Sequence, residues 1–372
     1  LTSRPYEFQA RPWELVKTES IDVMDALGSA IRVDTRGREV MRILPRLNEA
    51  VNEEWISDKT RFIWDGLRTQ RLDRPYVRRD GRLVAATWGE AFSAIAGRVA
   101  ATTSDRIGAI AGDLAAVEEM FALKQLMASL GVKNLDGRGA GEKHSPALGR
   151  ASYIFNPTIA GIDHADAILI VGADPRHEAA VLNARIRKRW REAGVPVALI
   201  GEAVDLTYPY EHLGAGPQTL ADVAAGAHGF AKVLAAAKRP LILLGQGALA
   251  RSDGPEVLAL AAKIAIGGER EEDWNGLAIL HTAAARVGAL DLGFVPGENG
   301  LDTIGMVAAA ATKSLDVLFL LGADEIAMNA LGSAFVVYIG THGDNGAHRA
   351  DVILPGAAYT EKSGTYVNTE GR

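Results

Sequence analysis

The stretch ILIVGADPRHEAAVLNARIRKRW (residues 168–190) sets an apolar run against a glycine turn and then a basic helix-forming segment. A near-echo, VLFLLGADEIAMNALG, occupies residues 317–332. Short apolar runs followed by helices are the pattern of parallel strands buried on both faces. The alternation recurs along much of the chain. RIGAIAG (106–112) reads as a strand. Leu114, Val117, Met120, Phe121 and Met127 then fall on one face at helical spacing, Gly131 ends that helix, and VKNLD supplies a second strand. Further on, residues 165–172 read as a strand, 178–193 as a helix ended by Gly194, and 195–201 as a strand. After the Gly-, Pro- and Tyr-rich loop 202–218, which marks a domain crossing, comes a helix. A strand at 239–245, a helix at 256–265, and strands at 316–322, 335–340 and 351–354 complete the series. The expectation is a doubly wound α/β architecture with two similar halves. Residues 1–60 differ: they are irregular, charged and aromatic, with short strand-like pieces AIRVDT and EVMRIL.

A chain of 372 residues has room for two or three domains and a large core. Its net charge of -6 lacks the basic excess of a nucleic-acid footprint. The most apolar long stretch, 223–237, is interrupted by His228 and Lys232 and falls short of the ~20 residues a membrane helix needs, so no span is expected. The chain opens on LTSRPYEFQARPW without an initiating Met and stops after NTEGR, which reads as a stretch of a longer protein. With no cysteine at all, disulfides, Cys-ligated zinc and Cys-ligated iron–sulfur clusters are excluded within these residues.

Gly172 and Gly322 each end an apolar run and precede a helix, a setting in which backbone N–H groups can face an anion. Neither has G-x-G-x-x-G spacing, so both are read as structural turns. Arg185, Arg187, Lys188, Arg189 and Arg191 read as the solvated face of a sheet-covering helix, the alternative being a surface for phosphate or an acidic partner. RPLILLGQGALARSDG resembles the opening of the central domain of thiamine-diphosphate enzymes. No G-D-G…N motif follows it, and GDNG (343–346) is too short to serve. The eight histidines form no H-x-x-x-H pattern; His342 and His348 flank a glycine-rich loop and are read as loop residues. There is no nucleophile elbow and no P-loop.

RPWELVKTESIDVMDALGSAIRV, RILPRLNEAVNEEWISDKTRFIWDGLRTQRL and ADVILPGAAYTEKSGTYVNTEGR together resemble one family. It is the large iron–sulfur subunit of respiratory complex I, the proton-pumping NADH:quinone oxidoreductase, in its alphaproteobacterial and mitochondrial branch. The likeness covers essentially the whole chain, and that subunit's body is in turn similar to molybdopterin oxidoreductases such as formate dehydrogenase. The implied fold is α/β and molybdopterin-oxidoreductase-like: two doubly wound Rossmann-type units plus a small irregular N-terminal domain. The implied domains are a degenerate iron–sulfur-type segment at 1–60, a first α/β domain from 61–138 plus 235–372, and a second inserted at 139–234.

Cluster-bearing relatives show S-I-C-x-x-C-x-x-x-C and a fourth Cys about 28 residues on. This chain reads SIDVMDALGS, with Asp22, Asp25 and Ser29 at the first three ligand positions and Ser57 at the fourth. Hard oxygen donors replace thiolates poorly on iron sulfide, so no cluster is expected here; a different cation on Asp22 and Asp25 is the alternative. Pterin-binding relatives use turns like GADP and GADE for the two halves of their cofactor. Gly172, Ala173, Asp174, Gly322, Ala323 and Asp324 are therefore vestigial pterin-turn positions. Active members commonly have Asn where this chain has Asp, and a carboxylate opposes a pyrophosphate. The family's closing E-K-x-G-T-x-x-N-x-E-G-R is intact at 361–372.

The resemblance implies an enzyme only in the sense of a subunit of H⁺-translocating NADH:ubiquinone reductase. The whole subunit would carry one [2Fe–2S] and two [4Fe–4S] clusters upstream. This segment would hold no cofactor, and would act as a scaffold against the flavin subunit, the small iron–sulfur subunits and the quinone-module subunits. Its place would be the cytoplasmic face of a bacterial inner membrane or the matrix face of the mitochondrial one. The alternative is a catalytic molybdopterin oxidoreductase domain that keeps its pterin.

Overall fold

The computed structural model describes residues 4–139 and 141–372. Near the N-terminus, β1 (Val16–Ile21), β2 (Ala30–Arg36) and β3 (Glu39–Pro45) form an antiparallel sheet in that order. The region is thus more regular than its sequence implies. The VKTESI of β1 is exposed at every position and shows no alternation; backbone pairing to β2, from Val16 opposite Thr35 to Ile21 opposite Ala30, makes it a strand.

The remaining strands are β4 (Tyr76–Arg79), β5 (Arg82–Ala85), β6 (Ile107–Ala111), β7 (Asn134–Asp136), β8 (Ala167–Val171), β9 (Val197–Ile200), β10 (Glu211–Gly214), β11 (Pro240–Gly245), β12 (Leu277–Leu280), β13 (Val317–Leu321), β14 (Phe335–Gly340) and β15 (Val352–Pro355). They build two sheets in two compact units. One unit runs up to Trp64 and adds Glu142–Val287 and Val367–Arg372; the other comprises Asp65–Gly141 and Gly288–Tyr366.

In the first unit a parallel sheet has the order β10-β9-β8-β11-β12. Its strands read as continuous apolar runs because both faces are covered. Ile168 and Ile170 enter one core with Phe155, Ile162, Leu182 and Ile186, while Ala167, Leu169 and Val171 enter the opposite core with Leu220, Phe230 and Leu258. The Ala180–Ala193 helix covers the first face and stops at Gly194, whose φ of 62° a side chain would disfavour.

In the second unit the order is β5-β4-β15-β14-β13-β6-β7, parallel from β15 to β7 with the β4–β5 hairpin antiparallel at one edge. The Trp88–Ala100 helix opens with a reciprocal cap: the Thr87 hydroxyl accepts from Glu90 N–H, and the Glu90 carboxylate accepts from Thr87 N–H. On the Val117–Ser129 helix the buried face is Met120, Leu123 and Met127. Leu114 and Phe121, expected inside, are exposed.

The domain boundaries differ from the sequence reading, with residues up to Trp64 and Val367–Arg372 grouped with Glu142–Val287 in one unit. The chain returns to the second unit at Gly288, not at 235, because β11 pairs with β8 from Pro240 opposite Ala167 to Leu244 opposite Val171, and β12 extends the same sheet. The loop 202–218 is no domain crossing: it contains β10, where Glu211 and His212 pair with Ala198 and Leu199 of β9. An apolar run announces a strand but not its neighbour, and the four-residue β12 is too short to stand out in sequence.

Candidate functional site

The four positions that the resemblance assigns to cluster ligands, Asp22, Asp25, Ser29 and Ser57, lie in and beside one buried loop. Between β1 and β2, the Asp22 N–H donates to Ser29 O at 2.8 Å and closes the loop. Inside it, Asp22 Oδ1 accepts from Met24 N–H and Asp25 Oδ1 from Leu27 N–H, each at 2.9 Å. Asp22, Asp25 and Ser29 are all buried. Ser57 caps the Asp58–Phe62 helix, its Oγ accepting from Thr60 N–H. The Thr60 hydroxyl donates to Asp22 Oδ2, and its oxygen lies 2.9 Å from Ser57 Oγ. Burial raises the Asp22 carboxyl above the ordinary carboxylate range; burial and then the neighbouring Asp22 push Asp25 up to about 7. Oxygen donors committed to backbone N–H groups and a threonine do not fit an iron–sulfur cluster, and the chain has no thiolate to offer. Nor do three or more His, Cys, Asp or Glu converge for a metal ion among the described residues.

The two glycine turns are built alike. Gly172 follows β8, has φ of 57°, and donates its N–H to Ile200 O of β9 at 2.8 Å. On the other side its carbonyl faces Gly245, where any Cβ would overlap it. Gly322 follows β13, has φ of 58°, and donates to Ile339 O of β14 at 2.7 Å. Its carbonyl faces Gly112 in the same way. Ala173 and Ala323 are buried. Asp174 caps the short Pro175–Glu178 helix, taking Arg176 N–H at 3.1 Å and lying 2.6 Å from His177 Nδ1.

A cavity of about 130 Å³ opens at the carboxyl ends of β8 and β9, lined by Gly172, Gly201, Leu220, Ala248 and Arg251 among others. Ligand sites in open α/β sheets lie in this position, but they run to roughly 300–1,000 Å³. The Arg251 guanidinium is paired with Asp253 at 2.6 and 2.9 Å. At the other turn, burial, Asp344 and Glu325 together raise Asp324 to about 7. Tyr338, whose hydroxyl donates to Asp344, is also raised, first by burial. One turn opens on too small a space and the other is ringed by carboxyls, so neither fits the pyrophosphate of a pterin nucleotide.

Sequence reasoning missed a buried cluster of His144, Gln246 and His281. His281 Nε2 lies 2.6 Å from Tyr153 O, so this nitrogen carries the hydrogen. Gln246 donates to Leu280 O at 2.8 Å and its Oε1 lies 3.1 Å from His144 Nε2. Burial first, and then His144, push the His281 pKa down to about 3, which keeps the ring neutral. The available signal was position: Gln246 directly follows β11 and His281 directly follows β12, at the functional edge of a parallel sheet.

The basic helix is less solvated than expected. Arg185 is buried against Asp163 at 2.6 and 3.0 Å, Lys188 reaches Glu53 at 2.5 Å, and Arg189 donates to Ala165 O at 2.8 Å. Arg187 and Arg191 are exposed. His342 Nε2 lies 3.1 Å from Gly66 O, and His348 is exposed. The closing motif is anchored along its length. Glu361 pairs with Arg71 and Lys362 with Glu119, while Asn368 donates to Leu27 O and Thr369 to Ile279 O.

Two parallel α/β units with matching glycine turns, together with a short antiparallel sheet, define the body of a molybdopterin-oxidoreductase-type protein. Residues 71–372 match the molybdopterin oxidoreductase family, and the chain belongs to it. Residues 15–65 match the NADH-ubiquinone oxidoreductase NDSU1/NuoG-like 4Fe-4S domain. Over its whole length the chain is 48% identical to an NADH-quinone oxidoreductase subunit of Rickettsia bellii, of which it covers 53%. It is 50% identical to the mitochondrial NADH-ubiquinone oxidoreductase 78 kDa subunit of Neurospora crassa, of which it also covers 50%. The chain thus spans about half the length of these relatives. Among solved structures, acetylene hydratase from Pelobacter acetylenicus matches with a TM-score of 0.61 at 12% identity, over 95% of this chain and 65% of that one. The formyltransferase/hydrolase complex from Methylorubrum extorquens matches at 0.60 and 20% identity, over 80% and 90%. At these identities the likeness is one of fold. Among the described residues no helix is long and apolar enough to cross a membrane.

Proposed function

We propose that this chain is the scaffold portion of a complex I subunit of the NuoG-like type, with no redox centre among its own residues. The whole subunit would pass electrons from NADH and flavin toward quinone through one [2Fe–2S] and two [4Fe–4S] clusters carried elsewhere in it. This portion would hold that cluster-bearing part against the flavin, small iron–sulfur and quinone-module subunits. Its setting would be the cytoplasmic face of a bacterial inner membrane or the matrix face of a mitochondrial one. The observation that carries the reading is that a chain without cysteine matches a 4Fe-4S-type domain, so that Asp22, Asp25, Ser29 and Ser57 would stand where thiolate ligands belong, in a chain about half identical to NADH-quinone and NADH-ubiquinone oxidoreductase subunits. Packing of both glycine turns against backbone supports a retained shape without a retained pterin.

The test is elemental analysis of the purified chain together with affinity recovery of the full-length protein. Iron, molybdenum and tungsten far below one per chain, with the flavin subunit recovered alongside, is the expected result. Stoichiometric molybdenum or tungsten would instead establish the rival reading, a catalytic pterin enzyme.

A further inference from the structure

A cluster bound by four side chains is also a cross-link, tying together segments that are distant in sequence. Its loss leaves the Asp22–Ser29 loop and the Ser57 helix start without that tie, yet the loop is buried almost throughout. Two sets of hydrogen bonds span the gap. The Thr60 hydroxyl gives its hydrogen to Asp22 Oδ2 and takes one from Ser57 Oγ, so the first and fourth ligand positions are joined through a single threonine. From the same short helix, Lys59 Nζ donates to Met24 O at 2.8 Å, midway along the loop. We propose that this Ser57–Thr60–Asp22 relay, seconded by Lys59, replaces the iron–sulfur cluster as the structural cross-link of the domain, with Thr60 as its indispensable member.

The side chain of Ser29, at the third position the resemblance assigns to a ligand, takes no part. Its Oγ is buried without a hydrogen-bond partner among the described residues, so this hydroxyl contributes nothing to the tie. The relay distinguishes Thr60 from a residue that merely fills space. Valine would keep its shape and remove the atom that both donates to Asp22 and accepts from Ser57, while serine would keep that atom. The inference rests on the metal-free reading above. Iron content tests that reading, and amide exchange tests the relay.

The experiment uses the full 372-residue chain. Hydrogen exchange of the Met24 and Leu27 amides is followed in wild type, Thr60→Val, Thr60→Ser and Ser29→Ala, with and without an iron chelator. Thr60→Val should exchange at least about ten-fold faster, the change expected for leaving buried hydrogen-bond partners unsatisfied. Thr60→Ser and Ser29→Ala should stay near wild type, and the chelator should change none of them. Wild-type exchange in Thr60→Val would overturn the relay, as would faster exchange of the wild type on chelation. If Thr60→Val does not fold while Thr60→Ser does, the relay stands; if neither folds, Ser57→Ala, which removes the other hydroxyl of the relay, carries the test, and wild-type exchange of the Met24 and Leu27 amides in it would overturn the relay.

Discussion

Gly245 stands so close to the carbonyl of Gly172 that a side chain there would overlap the oxygen. Gly112 and Gly322 repeat the relationship in the other unit. Each turn is thus clasped by the strand beside it, and Gly245→Ala or Gly112→Ala must displace backbone. Each should cost about 3 kcal/mol or more, read as a drop in the denaturant midpoint at constant slope.

The turn glycines themselves should respond unequally. Both have positive φ, but a Cβ on Gly172 would meet the Ala248 Cβ at 2.6 Å, whereas one on Gly322 meets nothing within 4 Å. Gly322→Ala should therefore cost only the left-handed strain, about 1–2 kcal/mol, and Gly172→Ala clearly more. Equal losses in thermal unfolding would refute packing as the difference.

Arg185 is almost fully buried while its partner Asp163 keeps contact with solvent. Asp163→Asn strands a guanidinium in the core and should cost about 3 kcal/mol. Arg187→Ala, on the exposed side of the same helix, should change stability by less than about 0.5 kcal/mol. Urea titration of the two variants compares them directly.

The folded chain holds His281 neutral down to about pH 3, whereas in the unfolded chain it takes a proton below about pH 6.5. The stability linked to this group is complete above pH 6.5 and drains away as pH falls toward 3, by about 1.4 kcal/mol per pH unit at most. His281→Gln should flatten the loss of stability between pH 6.5 and 5. An unchanged pH slope would place the loss elsewhere.

Asp324 has the opposite sign. Its folded pKa is raised to about 7, so its contribution is whole below about pH 4 and is lost as pH rises through 7. It is only half-buried, which limits the effect to about 1 kcal/mol. Asp344→Asn removes a repelling neighbour and should raise the melting temperature at pH 8 more than at pH 5.

Much of this protein is readable from pattern. Runs such as AILIV and VLFLL are apolar because both faces of their strands are covered, so the doubly wound class is visible in one dimension. The lack of any thiolate is visible too, since an absent cysteine needs no structure to detect. β1 is not legible, because an exposed strand held by backbone pairing leaves no alternation. Nor is the Thr60 relay, since it joins residues 38 apart in sequence. Pattern and composition thus account for the layers, the glycine turns and the chemistry that cannot occur. The folded arrangement alone reveals that β11 and β12 join β8, that the closing motif is anchored along its length, and that Arg185 lies in the core rather than in water. Those outcomes depend on which surfaces meet at long range, a matter of pairing and desolvation that local periodicity does not encode.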